Sequence, residues 1–544
     1  MGDDLLRVAP RPRDRVRGDE MPRVARQPPA AATEAAARAI EIGDRALAAE
    51  DIDAVARLER PVALAPGARA RMARCHAFVQ ALTRAGTPVY GLTTGCGPLA
   101  SQTIPPDARE QFQRNLVRSH ATTLGTPHPA SFVRAAMVTR AHVLARGHSG
   151  VDPAAVDLLV AMLNAGVHPL VREVGSVGAS GDLVELAEIA LAMLGEGRVT
   201  FRGRTLPAAV ALQDAGLAPL VPAYREGIAL INGTSFHTGV AAMLIARADH
   251  VAHAATVAAA MGLEALCGNV DAMEPALAAA RPHPGHETVA SAVLEIVRGS
   301  ALVDRTGASA ARQDAYTLRC IPQLLGAVVD ELAAARRVVE TELDAITDNP
   351  IFLPDDNRVV HGGNFHGQPV AMALDRLKAA VTEIGVVSER RVARLLDPAL
   401  NKGLPPFLIM GRPGAQSGLM GLQYCASSLA ADNAVLSAPA SVHSVPTNAN
   451  NQDVVSMGMV AAKQAARVLD NVTRMLAVEL VCAAQALDLR GGEKAGAGTR
   501  AALASVRAHV APITDDRPLT ADVEAVAELV GAGALPYPAA PLGR

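Results

Sequence analysis

Three apolar stripes in the second half of the chain constrain its fold more than any other feature. Leu325, Val328, Leu332, Ala335, Val339 and Leu343 recur at helical spacing, and the pattern stops at Asp348-Asn349-Pro350. A second stripe runs through Leu374, Leu377, Val381, Ile384, Val392 and Leu395, and a third extends from about Val454 to Leu487. Recurrence at three and four residues marks one face of an α-helix. Helices this long bury such faces only against one another, which predicts a central bundle, and bundles of this kind often continue across subunits. Ala is abundant and β-branched alternation scarce, so the chain is predicted to be all-α. The expected segments are a disordered tail over 1–34, an N-terminal, mainly helical domain of short helices and Gly/Pro loops over 35–235, the long-helix bundle over 236–490 and a C-terminal helical segment over 491–544.

Charge and composition exclude several function classes. With 51 Lys and Arg against 54 Asp and Glu, the formal charge of −3 gives no field for nucleic acid or an anionic membrane, which leaves a small molecule or a protein as partner. The best membrane-span candidate, near Val251 to Val270, is interrupted by His253 and Glu264. The N-terminal segment lacks the apolar run of a signal peptide, and Asp3, Asp4, Asp14, Asp19 and Glu20 argue against an organellar transit segment; Met21 offers a second start. Six cysteines are scattered without C-x-x-C spacing, which points to a reducing cytoplasm, no structural zinc and no metal.

The stretch GSVGASGDL, Gly175 to Leu183, leads into an apolar helix with more glycine than a helix start requires. Ser180 or Asp182 would suffice as the cap of that helix. A serine-hydrolase elbow needs G-x-S-x-G, but Asp182 stands two past Ser180 and no strand precedes it. A second chemistry fits small residues only: the Gly181 amide nitrogen attacks the Ala179 carbonyl, and water is lost from the ring and from Ser180. The product, a methylidene-imidazolone, is an electrophile placed at the positive end of the following helix. An A-S-G tripeptide alone is also what an ordinary capped helix would show.

Its company decides the matter. VYGLTTGCG (89–97), NLVRSHATTLG (115–125), GSVGASGDL (175–183), LINGTS (230–235), AYTLRCIPQ (315–323), DNP (348–350), GGNFHGQPVA (362–371) and TNANNQDVVSMG (447–458) occur in one order. From about Pro61 to Arg490 the chain resembles the aromatic amino acid ammonia-lyases and aminomutases, the histidine, phenylalanine and tyrosine lyases and tyrosine 2,3-aminomutase. The resemblance implies that Ala179-Ser180-Gly181 forms the methylidene-imidazolone autocatalytically, with no external cofactor, in a homotetramer of mutually completed active sites. The glycine-serine-serine loop of fumarase-type helical lyases is absent.

Eliminating ammonia from an α-amino acid needs a base facing the β-carbon and an electrophile to help the amine leave. The resemblance makes Tyr90, in a Gly-rich loop, that base. Arg319 lies three residues after Tyr316, so both meet one ligand. By resemblance Arg319 clamps the substrate carboxylate, Tyr316 and Gln313 flank the amine and the electrophile, Asn232, Asn364 and Gln452 line the pocket, and Phe365 stacks beside the electrophile. Ser119 and His120 face the substrate ring, a pair that histidine lyases and tyrosine aminomutases share. HGQPVA, NNQD and Tyr424 resemble the tyrosine and phenylalanine enzymes, and Asp432 replaces a glutamate near the histidine lyase pocket. These blocks favour a tyrosine-type substrate, for a tyrosine ammonia-lyase or 2,3-aminomutase, over the alternative, a histidine ammonia-lyase giving urocanate. Cys96 replaces an aromatic residue of the mobile loop. Glu185 and Glu188 replace a Pro and a His, and two carboxylates one turn apart are expected to repel unless paired.

Overall fold

The computed structural model describes residues 39–304 and 313–536; the tail expected over 1–34 lies outside the described residues. Seven helices position the site: Arg109–His120 (α1), Leu183–Met193 (α2), Ser235–Ala265 (α3), Ile321–Leu343 (α4), Gln368–Leu396 (α5), Met420–Leu436 (α6) and Gly458–Arg490 (α7). All three stripes are buried, through Leu325, Leu332 and Leu343 on α4, Leu374, Val381 and Ile384 on α5, and Val468, Leu476 and Leu487 on α7.

The bundle holds a fourth long helix that the stripes do not announce. Of the 31 residues of α3, 27 are buried, so it has no polar face and no amphipathic period; it is packed on all sides. Helices α3, α5 and α7 run parallel. Gly367 and Gly458, at the starts of α5 and α7, both lie against His237 in the first turn of α3, and at the other end Arg490 donates to the carbonyl of Ala265. Helix α4 runs the opposite way, since Glu342 near its end accepts from Thr234 at the start of α3. Between α5 and α7 the buried Arg391 meets Glu479 through two hydrogen bonds of 2.5 and 3.0 Å. This pair fixes their register, because sliding either helix would leave a buried charge unpaired.

The chain is mainly helical rather than purely so. Among the described residues are four small sheets, one of three strands and three of two, pairing for example Leu124–Pro127 with Arg172–Val174 and Ile351–Leu353 with Arg358–Val360. Short pairs of this kind clamp loops and leave no trace in hydrophobic period. Among the described residues no helix is long and apolar enough to cross a membrane.

Candidate active site

The tripeptide is folded back on itself. Gly178, Ser180 and Gly181 have φ of 86°, 47° and 81°, three left-handed residues in four, and Ser180 is held there although it carries a side chain. The partner strand of this bend is Gly233: its N–H donates to the Ser180 carbonyl and its carbonyl accepts from Asp182 N–H, both at 2.9 Å. A Cβ on Gly181 would lie 2.1 Å from the Gly233 oxygen, so only glycine fits. On the other side Met457 N–H donates to the Val177 carbonyl, and the Gln452 amide donates to Ser180 Oγ at 3.3 Å.

Asp182 holds the N-cap position of α2, as expected, but its side chain makes no capping bond there. Its fully buried carboxylate caps α3 instead, accepting from the N–H groups of Phe236 and His237 and from the His237 ring, each at 2.9 Å. The first turns of α2, α3, α5 and α7 therefore gather around one loop, and the positive ends of four helix dipoles favour negative charge developing there.

Tyr90 lies in a loop tied to this cluster. Its Oη accepts from Gly97 N–H at 2.8 Å, and the same Gly97 abuts the side chain of Asn448, in the turn that carries Gln452. Burial pushes the phenol above its ordinary value and Cys96 adds to this, while the Gly97 amide and Arg225 act against it. The Cys96 thiol is pushed up to about 11 by burial, so it is protonated at neutral pH. Gln113, which the sequence reading passed over, is buried on α1 and holds the loop: its amide donates to Gly91 O at 2.9 Å and accepts from Ile228 N–H. Asn232 donates to Asp348 Oδ1 at 2.8 Å, and Asp348 also pairs with the buried Arg225. The DNP block thus anchors the strand that supports the tripeptide.

Ser119 and His120 end α1, which packs on α2. His120 Nδ1 is 2.8 Å from the Leu116 carbonyl. A carbonyl only accepts, so Nδ1 carries a proton, and in the neutral imidazole that leaves the lone pair on Nε2. Ser119 Oγ also donates to Leu116 O. Asn364 donates to Ile346 O, next to the half-buried Phe365. The expected repulsion between Glu185 and Glu188 does not arise. Glu188 accepts from the backbone and hydroxyl of Thr123, and Glu185, fully buried and bonded to Ser176 N–H, is pushed up to about 8 by burial and by Asp182, which keeps it neutral.

Gln313, Tyr316, Arg319 and Tyr424 lie elsewhere. Arg319 donates to Gln313 Oε1 at 2.5 Å, and its guanidinium stands 4.7 Å from the Tyr316 ring centroid, so the three cluster as their spacing suggests. Their neighbour Asp314 accepts from Asn269 N–H, just past the end of α3. Tyr316 lines a cavity of ≈ 640 Å³ together with Arg390, Arg394 and Gln423; Tyr424 follows on α6. Tyr316 is 69% and Tyr424 67% exposed. Ser180 sits at the start of α3 and this group at its end, and 31 residues at ~1.5 Å each separate them by about 45 Å. Within one chain the two groups do not meet.

A glycine-pinned tripeptide under four helix starts in a helical bundle, with the half-buried Tyr90 in a loop tied to the same cluster, fits one class, a carbon–nitrogen lyase. The sequence profile of aromatic amino acid lyases matches residues 47–508, and the chain belongs to that family. A histidine ammonia-lyase of Symbiobacterium thermophilum is 46% identical over 497 residues, 91% of this chain and 97% of the relative. The tyrosine aminomutase of Streptomyces globisporus superposes with a TM-score of 0.87 at 36% identity, over 92% of this chain and 98% of that one. The histidine ammonia-lyase of Trypanosoma cruzi gives 0.85 at 34% identity, over 92% and 94%.

These relatives overturn the tyrosine-type expectation. Histidine ammonia-lyases match at 42 to 46% identity over some nine-tenths of the chain. The blocks that favoured a phenol have other employment. Gln368 of HGQPVA donates to Ser441 O, Gln452 of NNQD to Ser180, and Asp432 accepts from Asn471. The bonds of Gln368 and Asp432 go to the scaffold and that of Gln452 to the tripeptide itself, so none of the three marks the ring of the substrate.

Proposed function

We infer that the chain is a histidine ammonia-lyase, converting L-histidine to urocanate and ammonia. The observation that carries this reading is the near full-length similarity to histidine ammonia-lyases. The His120 lone pair supports it, as an acceptor for the N–H of an imidazole ring.

The tripeptide fits the family's prosthetic group: left-handed Ser180 and Gly181 fold the chain back on itself, and the missing Cβ lets Gly181 pack against Gly233. Ring closure joins Gly181 N to the Ala179 carbonyl carbon, whose oxygen leaves as water with the amide protons of Ser180 and Gly181. The second water takes Ser180 Oγ and the Cα proton. The methylidene-imidazolone then supplies an electrophile for the substrate amine. Tyr90 removes the β-proton, the C–N bond breaks as the C=C bond forms, and ammonia leaves. Arg319 holds the carboxylate in a bidentate pair, with Tyr316 and Gln313 beside the amine. Because these three lie about 45 Å from Ser180 along α3, they serve the site of another copy in a homo-oligomer, for which the family's tetramer provides the symmetry.

Two measurements test the reading. Intact-protein mass is expected to fall two waters below the sequence value; active protein of unmodified mass refutes the electrophile. Incubation with L-histidine is expected to release urocanate and ammonia, with no β-amino acid. Consumption of tyrosine with histidine left untouched refutes the substrate.

A further inference from the structure

We propose that His237 is a positioning residue for the tripeptide: its ring fixes the Asp182 carboxylate, and through it the backbone of Gly181, in the geometry from which the electrophile forms. The proposal rests on the reading of Ala179-Ser180-Gly181 as the electrophile's source and adds the device that shapes it.

His237 sits in the first turn of α3, fully buried, with Nδ1 at 2.9 Å from both carboxylate oxygens of Asp182. Asp182 Oδ2 also accepts from Phe236 N–H and His237 N–H, so one carboxylate gathers two backbone donors and one ring donor. Asp182 N–H in turn donates to Gly233 O, the atom against which Gly181 is pressed. The chain of contacts therefore runs from the imidazole, through one side chain, to the backbone amide next to Gly181.

The ring cannot turn away. A Cβ on Gly367 would come within 2.4 Å of its Cε1, and one on Gly458 within 3.0 Å of Cγ and Cδ2. Two helix starts thus press bare backbone onto the imidazole, and the starts of α3, α5 and α7 meet at this side chain. Nε2 is buried with no partner, so the single directed interaction of the ring is the one with Asp182. The ionised carboxylate only accepts, so Nδ1 carries the proton of the bond to Asp182. A space-filling role alone would require volume at this position, not a donor aimed at Asp182.

That difference is measurable. His237→Leu keeps the volume and removes the donor, whereas His237→Asn places an amide N–H near the Nδ1 position. Three readouts apply to the purified full chain: the rate at which the two-water mass deficit develops, hydrogen exchange over residues 176–184, and urea unfolding as a control for folding. A hydrogen bond to a charged group corresponds to roughly ten- to a hundredfold. The deficit is expected to form slower by about that factor in His237→Leu, exchange over 176–184 to accelerate similarly, and His237→Asn to recover most of both. If His237→Leu does not fold, His237→Gln replaces it, since its amide reaches one carbon beyond the Nδ1 position. Wild-type rates in the donor-less variant, or Asn behaving no better than Leu or Gln, overturn the proposal. Wild-type protein without a mass deficit refutes the electrophile reading instead, and the exchange comparison still decides the role of His237.

Discussion

Tyr90→Phe is expected to lose ~10² to ~10⁴ of kcat/KM on every substrate the enzyme accepts, the range that removal of a general base commands. The variant keeps the ring and its packing, and loses only the oxygen that accepts from Gly97 N–H. The two-water mass deficit should therefore stay complete and the melting temperature should change little. The pH profile separates a base from a structural hydroxyl. Burial and Cys96 raise the phenol above its ordinary value, so the active phenolate is a minor species at neutral pH, and kcat/KM should climb as pH moves into the alkaline range. In Tyr90→Phe that climb should vanish. A variant that retains wild-type activity, or the wild-type alkaline slope, removes Tyr90 from the chemistry.

How far the sequence reveals this molecule depends on where each constraint leaves its mark. Stripes on α4 and α5 are legible because each helix keeps a polar face that sets the period. Helix α3 is not, because burial on every side erases the contrast on which periodicity depends. The tripeptide is legible because backbone freedom needs glycine, and Gly178 and Gly181 are visible as letters. His237 is not, since its partner Asp182 lies 55 residues away and only the fold brings them together. Gln113 is hidden for the same reason, its two bonds reaching Gly91 and Ile228 from a helix that reads as polar. Substrate choice is not legible at Gln368 and Asp432, whose polar groups look like pocket chemistry in a string and are engaged by the scaffold in space, nor at Gln452, whose amide goes to Ser180 of the tripeptide.

The division of the candidate residues between the two ends of α3 makes the last prediction the most demanding. Ser180→Ala alone cannot form the methylidene, so the second water loss disappears and activity should fall by at least ~10³. Arg319→Leu alone keeps the two-water deficit but loses the carboxylate clamp, at a cost of about 10² in kcat/KM. If each working site draws Ser180 from one copy and Arg319 from another, co-expression under two affinity tags and tandem purification should yield mixed oligomers that regain activity. Random one-to-one assembly leaves about a quarter of the sites with both groups intact, so roughly a quarter of wild-type activity should return. A site closed within one chain would gain nothing, because every copy carries one lesion. The distance decides between the two outcomes: no side chain reaches across the ~45 Å spanned by the 31 residues of α3. Mixed oligomers no more active than their better parent would therefore show that Arg319 does not serve the Ser180 site of any copy. The carboxylate would then need another cation, and Arg225, already bound to Asp348, is not free to supply it.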